Sequence, residues 1–308
     1  MINNEAFLNI TCNSKYFENP DTKRRTYFNI HVPKTAGWLL WDILKINFGK
    51  DLKNAYTPTS YEYFRPESVE WLLRQYRFRC YTSHGYRLSS LPTIPGHELI
   101  AFSFIRDPVN KFLSSYFYCR GIPETGEWHP SKQLFLPEFL DRLINDPEFS
   151  RLPLDVSQEE FIRGSLKPLP FKDLLKLDFG TFHIFPTERF DDAMLCLEAL
   201  YPEDFRDCSY GKRANASKKD QEVTSQDIEM IERLPWIEKD RELHKFAFEY
   251  LDNLLKTIYM SDDALEQARN DFKFRCEMKK KKEMKEGSTR LPLMKRIKSA
   301  ARILLLKG

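Results

Sequence analysis

The sequence predicts an α/β domain, a mostly parallel sheet with helices on both faces, and two observations carry that expectation. HELIAFSFI (His97–Ile105) is an almost uninterrupted apolar run, the pattern of a strand buried on both sides. RTYFNIHV (Arg25–Val32) is rich in strand formers and passes through the small-residue loop Pro33-Lys34-Thr35-Ala36-Gly37 into WLLWDILKINFG, whose apolar residues recur at helical spacing. Strands alternating with helices in this way build parallel sheets with ligand sites at the carboxyl ends of the strands. The chain has 308 residues, 42% of them hydrophobic, enough for one large α/β domain with a core of its own. The same composition excludes disordered, collagen-like and disulfide-scaffold classes.

Taken in order, residues 1–24 are polar and lack a period, so they read as a leader outside the domain. The strand Arg25–Val32, its loop and its helix follow. Val69, Leu72, Leu73 and Tyr76 share a face and predict a helix over Glu67–Tyr76. Phe78–Ser83 reads as the second strand, ending at His84-Gly85, and His97–Ile105 as the third, ending at Arg106-Asp107-Pro108. Pro108 suits the first turn of a helix that runs through Arg120. Gly121–Pro153, rich in proline and charge, is expected to be an irregular insertion, part of an inserted region over 121–177. Ser157-Gln158-Glu159-Glu160 has the spacing of a capping box. Thr181–Pro186 then reads as a strand, Phe190–Leu200 as its helix, and the chain from Thr224 as helical through Leu254. The domain is thus expected over 25–272, with a helical extension over 273–308.

The formal net charge of +3 divides unevenly: 273–308 carries +10 and the rest of the chain −7. A basic excess confined to a tail argues against nucleic acid as a partner of the domain, and a few local cations must hold any anion bound there. The six cysteines form no CxxC pair, which suits a reducing compartment and implies no metal framework. No run approaches the length of a membrane span and the start lacks an export pattern, so the expectation is a cytoplasmic protein.

Two loops carry candidate chemistry. In Val32–Gly37, successive backbone amides and a helix start converge on one spot, small residues let an anion approach, and Lys34 adds a formal charge, the physics of a P-loop-like phosphate site. It is not a Walker A loop, because Pro33 and Phe28 occupy the two glycine positions; an ordinary βα turn with a surface lysine is the alternative. In FSFIRDPVNKFLSSYFYCR, Arg106 at a strand end and Ser114 on the next helix can face one phosphate, with Asp107-Pro108 shaping the turn and capping the helix; an ordinary capped helix start is the alternative.

These segments resemble the motifs of sulfotransferases that use 3′-phosphoadenylyl sulfate (PAPS), the family that includes heparan sulfate 2-O-, chondroitin/dermatan and bacterial carbohydrate sulfotransferases. HVPKTAG is similar to its 5′-phosphosulfate loop, with Trp38 and Leu39 where hydroxyl residues are usual. RDPVNKFLSSYF is similar to its 3′-phosphate motif, with Lys111 in place of an arginine. Thr187-Glu188-Arg189-Phe190-Asp191 resembles a third segment, and Asn215-Ala216-Ser217 a basic loop near the 3′-phosphate. The resemblance implies sulfuryl transfer from PAPS to a hydroxyl of a carbohydrate or glycolipid. Pro33, Lys34, Thr35, Ala36, Gly37 and Trp38 would hold the 5′-phosphosulfate, and Arg106 and Ser114 the 3′-phosphate.

In-line transfer of this kind needs a cation at the leaving phosphate, a role that fits Lys34, and a base for the acceptor hydroxyl. Of the six histidines, His84 stands at the carboxyl end of a central strand, where the family has a GHxPY segment; here Ser83 precedes it. Glu188 is the second candidate base, its alternative being a structural ion pair with Arg189 or another base. Trp128, Phe135 and Phe139 are candidates for stacking on a sugar, or for filling a core. An NTP-using α/β protein and a PAP-binding protein without transfer stay open as other classes. In the tail, Lys279–Lys282 followed by Leu291–Leu306 has the pattern of a basic amphipathic helix, which suits peripheral contact with the anionic inner face of a membrane; docking on the domain is the alternative.

Overall fold

The computed structural model describes residues 24–55, 63–121, 129–146, 149, 157–166, 170–177, 180–211 and 220–305, the side chains of 176–177 and 286–305 excepted. The leader, Trp128 and the Asn215-Ala216-Ser217 loop lie outside the described residues. In chain order the elements are β1 (Arg24–Ile30), α1 (Gly37–Phe48), β2 (Leu52–Asn54), α2 (Pro66–Gln75), β3 (Cys80–Ser83), β4 (His97–Ile105), α3 (Pro108–Gly121), α4 (Pro130–Gln133), α5 (Leu136–Asn145), α6 (Gln158–Arg163), α7 (Phe171–Leu174), β5 (Lys176–Leu177), β6 (Gly180–Pro186), α8 (Phe190–Leu200), α9 (Ser225–Glu232), α10 (Ile237–Tyr259) and α11 (Asp262–Leu305).

The sheet has the order β2-β3-β1-β4-β6-β5. Every pairing is parallel except the short β5–β6 pair at one edge. The chain leaves β1 toward β3 on one side and returns to β4 on the other, so the order reverses beside β1. In open α/β sheets the ligand crevice forms at such a reversal, outside the carboxyl ends of the strands. There the turns after β1 and β4 stand side by side.

The period of two sorts the strand residues onto two faces. Tyr27, Ile100, Phe102, Phe104 and Phe185 pack under α1, α8, the end of α10 and Phe272 of α11. Phe28, Tyr81, Leu99, Ala101, Phe182 and Ile184 pack under α2, α6 and the start of α10. Helices therefore cover both faces, as the apolar runs require.

Two expectations need correction. Gly121–Pro153 is not an irregular insertion where it is described: Leu136, Phe139, Leu140 and Leu143 form one face of α5 and build a third core with α3 and α9. Phe139 is fully buried there, which removes it as a sugar platform. The helical extension starts at Asp262 rather than at residue 273, and its first turns belong to the domain: Arg275 bonds Glu198 and Asp207, and Lys279 reaches Asp207 and the carbonyl of Ser209. The described cysteines form no disulfide with one another. Among the described residues no helix is long and apolar enough to cross a membrane.

Candidate active site at the strand ends

The turn after β1 is tight. Lys34 (φ 68°) and Ala36 (φ 63°) both take the left-handed conformation, uncommon for residues other than glycine, and Ala36 caps α1. Alternating handedness of this kind points successive amides into one concavity, next to the first unpaired N–H groups of α1. Thr35 is buried and donates its hydroxyl to the Val32 carbonyl at 2.7 Å, so it braces the loop from inside and offers a ligand only its amide. Gly37 is required sterically: a Cβ there would stand 1.9 Å from Nε2 of His31. Trp38, 67% exposed, projects from the start of α1.

Lys34 is half-buried, with Nζ 3.7 Å from the ring centre of Tyr118 on α3. Burial, with Arg106 adding to it, holds its amine below the usual lysine range. Tyr118 was not singled out from sequence, although it lies four residues beyond Ser114 on the same helix face.

The turn after β4 meets this loop. Nη1 of Arg106 lies 3.5 Å from the carbonyl oxygen of Lys34. The Arg106 backbone is clamped by buried Gln158, which accepts from its N–H at 2.9 Å and donates to its carbonyl at 2.8 Å. Gln158 itself is fixed by Asp240, whose carboxylate accepts from the amides of Gln158 and Glu159 and from the Ser157 hydroxyl. The Ser157–Glu160 signal thus marks a real helix start, whose second residue also positions the arginine. Asp107 caps α3 through the amide of Asn110, as its place before proline suggests. Ser114 is half-buried on α3, whereas Lys111 is buried.

The segment after β6 ties into the same turn. Thr187 donates to the Ile105 carbonyl at 2.6 Å, and Glu188 accepts from the amide of Asp107 at 2.9 Å and from Nε2 of His244 at 3.0 Å. Burial alone would raise the Glu188 carboxyl, but the bonds from His244 and Asp107 outweigh it and hold the group below the usual carboxylate range. Of the bases expected to pair with it, the partner is His244 and not Arg189, which pairs with Asp192 and Asp252. Both Glu188 oxygens are occupied by donors, which suits a brace for the Arg106 turn better than a base.

His84 follows β3 on the other side of β1. Its Nδ1 lies 2.7 Å from the His31 carbonyl, and its ring stacks on that of His31 with centroids 4.2 Å apart. A carbonyl oxygen only accepts, so Nδ1 carries the proton and the neutral ring presents an open lone pair on Nε2. Burial is the main cause that lowers the His84 pKa, offset by the bond to His31 and reinforced by Arg87, which keeps the ring neutral near pH 7. Burial, then His84, pushes His31 down to about 3. Ser83, where the resembling motif has glycine, accepts from the amide of Gly85 at 2.9 Å and builds the turn. Buried Arg87 donates from Nη1 to the carbonyls of His84 (2.6 Å) and Tyr86 (2.7 Å), with its guanidinium 3.5 Å over the Phe161 ring. No motif announced Arg87, because it acts on backbone oxygens.

The expected residues of the two loops therefore share one sheet edge, with His84 across β1. Lys34 and Arg106 form no ion pair with a carboxylate among the described residues. No group of three or more His, Cys, Asp or Glu side chains is placed to hold a metal among those residues.

No family model and no curated protein matches the chain. Among solved structures, the mouse sulfotransferase SULT7A1 complexed with PAP is similar to it at 14% identity, covering 81% of this chain and 90% of that one, with a TM-score of 0.29. A likeness that faint carries nothing about activity.

Proposed function

We propose that this protein moves a sulfuryl group from PAPS to a hydroxyl of an acceptor, a carbohydrate or glycolipid. The observation that carries the reading is the meeting of Lys34 and Arg106 at the strand-order reversal. Two half-buried cations stand on adjoining turns, neither ion-paired with a carboxylate among the described residues, beside a loop whose amides converge. Such an arrangement suits an anion with charge at two ends, and the donor set fits PAPS: Lys34 and the amides of Pro33–Trp38 (Pro33 excepted, having none) toward the 5′-phosphosulfate, Arg106 and Ser114 toward the 3′-phosphate.

PAPS supplies an electrophilic sulfur and a phosphate leaving group. Around it, Lys34 offsets charge that develops on the departing phosphate oxygen. His84 accepts the acceptor's hydroxyl proton on Nε2 as the new O–S bond forms and the S–O bond to phosphate breaks. Glu188 and Gln158 hold the Arg106 turn, and Arg87 holds the His84 turn. Tyr118, beside Lys34, and Trp38, at the start of α1, are both exposed and offer flat faces to a sugar ring.

PAPS bearing labelled sulfate, incubated with a panel of glycans and glycolipids, tests the reading. Wild-type protein should label an acceptor. His84→Ala should lower turnover by about 10²–10⁴-fold while PAP affinity, read by calorimetry, stays within twofold. Undiminished transfer by the variant, PAP binding without transfer to any fraction, or binding of ATP in place of PAP would each overturn it.

A further inference from the structure

Helix α11 presents two unlike sides. Phe272, Arg275, Cys276 and Lys279 recur at helical spacing and face the domain: Phe272 is buried, Arg275 binds Glu198, the Cys276 thiol accepts from the amide of Tyr210, and Lys279 binds Asp207. Gly211 lies against the carboxylate of Glu283, so this contact line extends to the last turns whose side chains are described. The opposite side leaves Phe274 at 63%, Met278 at 49% and Met284 at 50% exposure, interspersed with exposed Lys273, Lys280, Lys281 and Lys282. Phe274 and Met278, one turn apart, form an exposed apolar pair, with Met284 open further along the same outward half of the helix.

The helix backbone continues to Leu305, and in sequence its remainder keeps the same mixture, with Leu291, Leu293, Met294, Ile297, Ile303 and Leu304 among Lys295, Arg296, Lys298 and Arg302. Over 273–308 there are 13 Lys/Arg against 3 Asp/Glu. Exposed Phe and Met flanked by lysines match a surface that is negative outside and apolar just beneath, which is the headgroup boundary of an anionic bilayer. A nucleic acid would match the charge but leave Phe274, Met278 and Met284 unexplained. A second copy of the chain would bring like-charged stripes together.

We infer that the outer side of α11 is a membrane-docking surface that seats the domain on anionic phospholipid. The contact is electrostatic and interfacial, with no span of the bilayer. The inference goes beyond sulfuryl transfer and does not depend on it, since its readout is partitioning rather than activity.

Flotation of the full-length chain with vesicles of phosphatidylcholine, alone or mixed with phosphatidylglycerol, decides it. Recovery should require the anionic lipid and should fall as salt rises. Replacing Lys280, Lys281 and Lys282 together by Gln removes about three lysine contributions and should weaken partitioning by about a hundredfold. Phe274→Ser with Met278→Ser should weaken it without changing the Tm or the circular dichroism spectrum, since neither residue faces the domain. Equal recovery on both vesicle types, no recovery at all, retention of binding by both variants, or displacement of bound protein from vesicles by RNA would overturn the inference. A dimer in solution that the Ser variant dissociates, with flotation unaffected, would overturn it as well.

Discussion

Gly37→Ala is a one-methyl test of how the loop after β1 is built. The new Cβ would lie 1.9 Å from Nε2 and 2.1 Å from Cε1 of His31, well inside any tolerated contact. The imidazole has little room to yield, because its other face stacks on His84 at 4.2 Å. Either the ring displaces His84 or the start of α1 lifts away from the strand ends. Overpacking of this kind costs about 1–3 kcal/mol, while the better helix propensity of alanine returns at most about 1 kcal/mol. Net destabilisation of about 1–2 kcal/mol is expected, seen as a fall of a few degrees in Tm. PAP affinity should drop by about five- to thirtyfold, because the shifted amides are the ones proposed to hold phosphate. The double variant His31→Ala/Gly37→Ala keeps the His31 carbonyl for His84 and removes the clash, so it should recover most of the lost affinity. Thermal unfolding and calorimetry on the four proteins check this. A Gly37→Ala protein with wild-type Tm and affinity, or a penalty that persists without the His31 ring, would refute the reasoning.

Two further outcomes follow from buried charge. Arg87→Gln should cost about 1–3 kcal/mol in urea unfolding, because the carbonyls of His84 and Tyr86 lose a buried donor. The same change should move the His84 titration, followed by NMR of its ring protons, to higher pH, since a repelling cation is gone; an unmoved titration would deny the coupling. His183 is held between the hydroxyls of Tyr250 and Tyr201, and burial pushes it down to about 4 from an ordinary 6.5. The unfolded chain therefore binds the extra proton first. Stability from this group is intact above pH 6.5 and falls as pH drops toward 4, by about 2 kcal/mol at pH 5. Urea unfolding of wild type and His183→Gln at pH 7 and pH 5 should show a smaller acid loss in the variant.

What the sequence displayed and what it hid follow from where each signal resides. β4 is legible end to end because burial on both faces leaves no polar gap in HELIAFSFI. β2 is invisible, being three half-buried residues, Leu-Lys-Asn, with no period to read. α5 was obscured by Pro137 and by its acidic and basic neighbours, although Leu136, Phe139, Leu140 and Leu143 already had helical spacing. The order of Lys34 and Arg106, each after a strand, implied a common sheet edge, but only the sheet order places their turns side by side. That Glu188 would pair with a base was legible, but which base was not: Arg189 is its neighbour in the chain, yet the partners are His244 of α10 and the Asp107 amide. Arg87, Gln158 and the His31 carbonyl act through backbone groups, and a backbone group leaves no mark in a sequence.

The central claim is that the turns after β1 and β4 grip two ends of one nucleotide, and the preference for PAP over adenosine 5′-phosphate tests it most directly. Calorimetry should show wild-type protein favouring PAP by about ten- to hundredfold, the worth of a charged contact to the 3′-phosphate. Arg106→Ala should erase that preference, whereas Lys34→Ala should weaken both ligands and keep it. An Arg106→Ala protein that still distinguishes the two nucleotides as strongly as wild type would contradict the account.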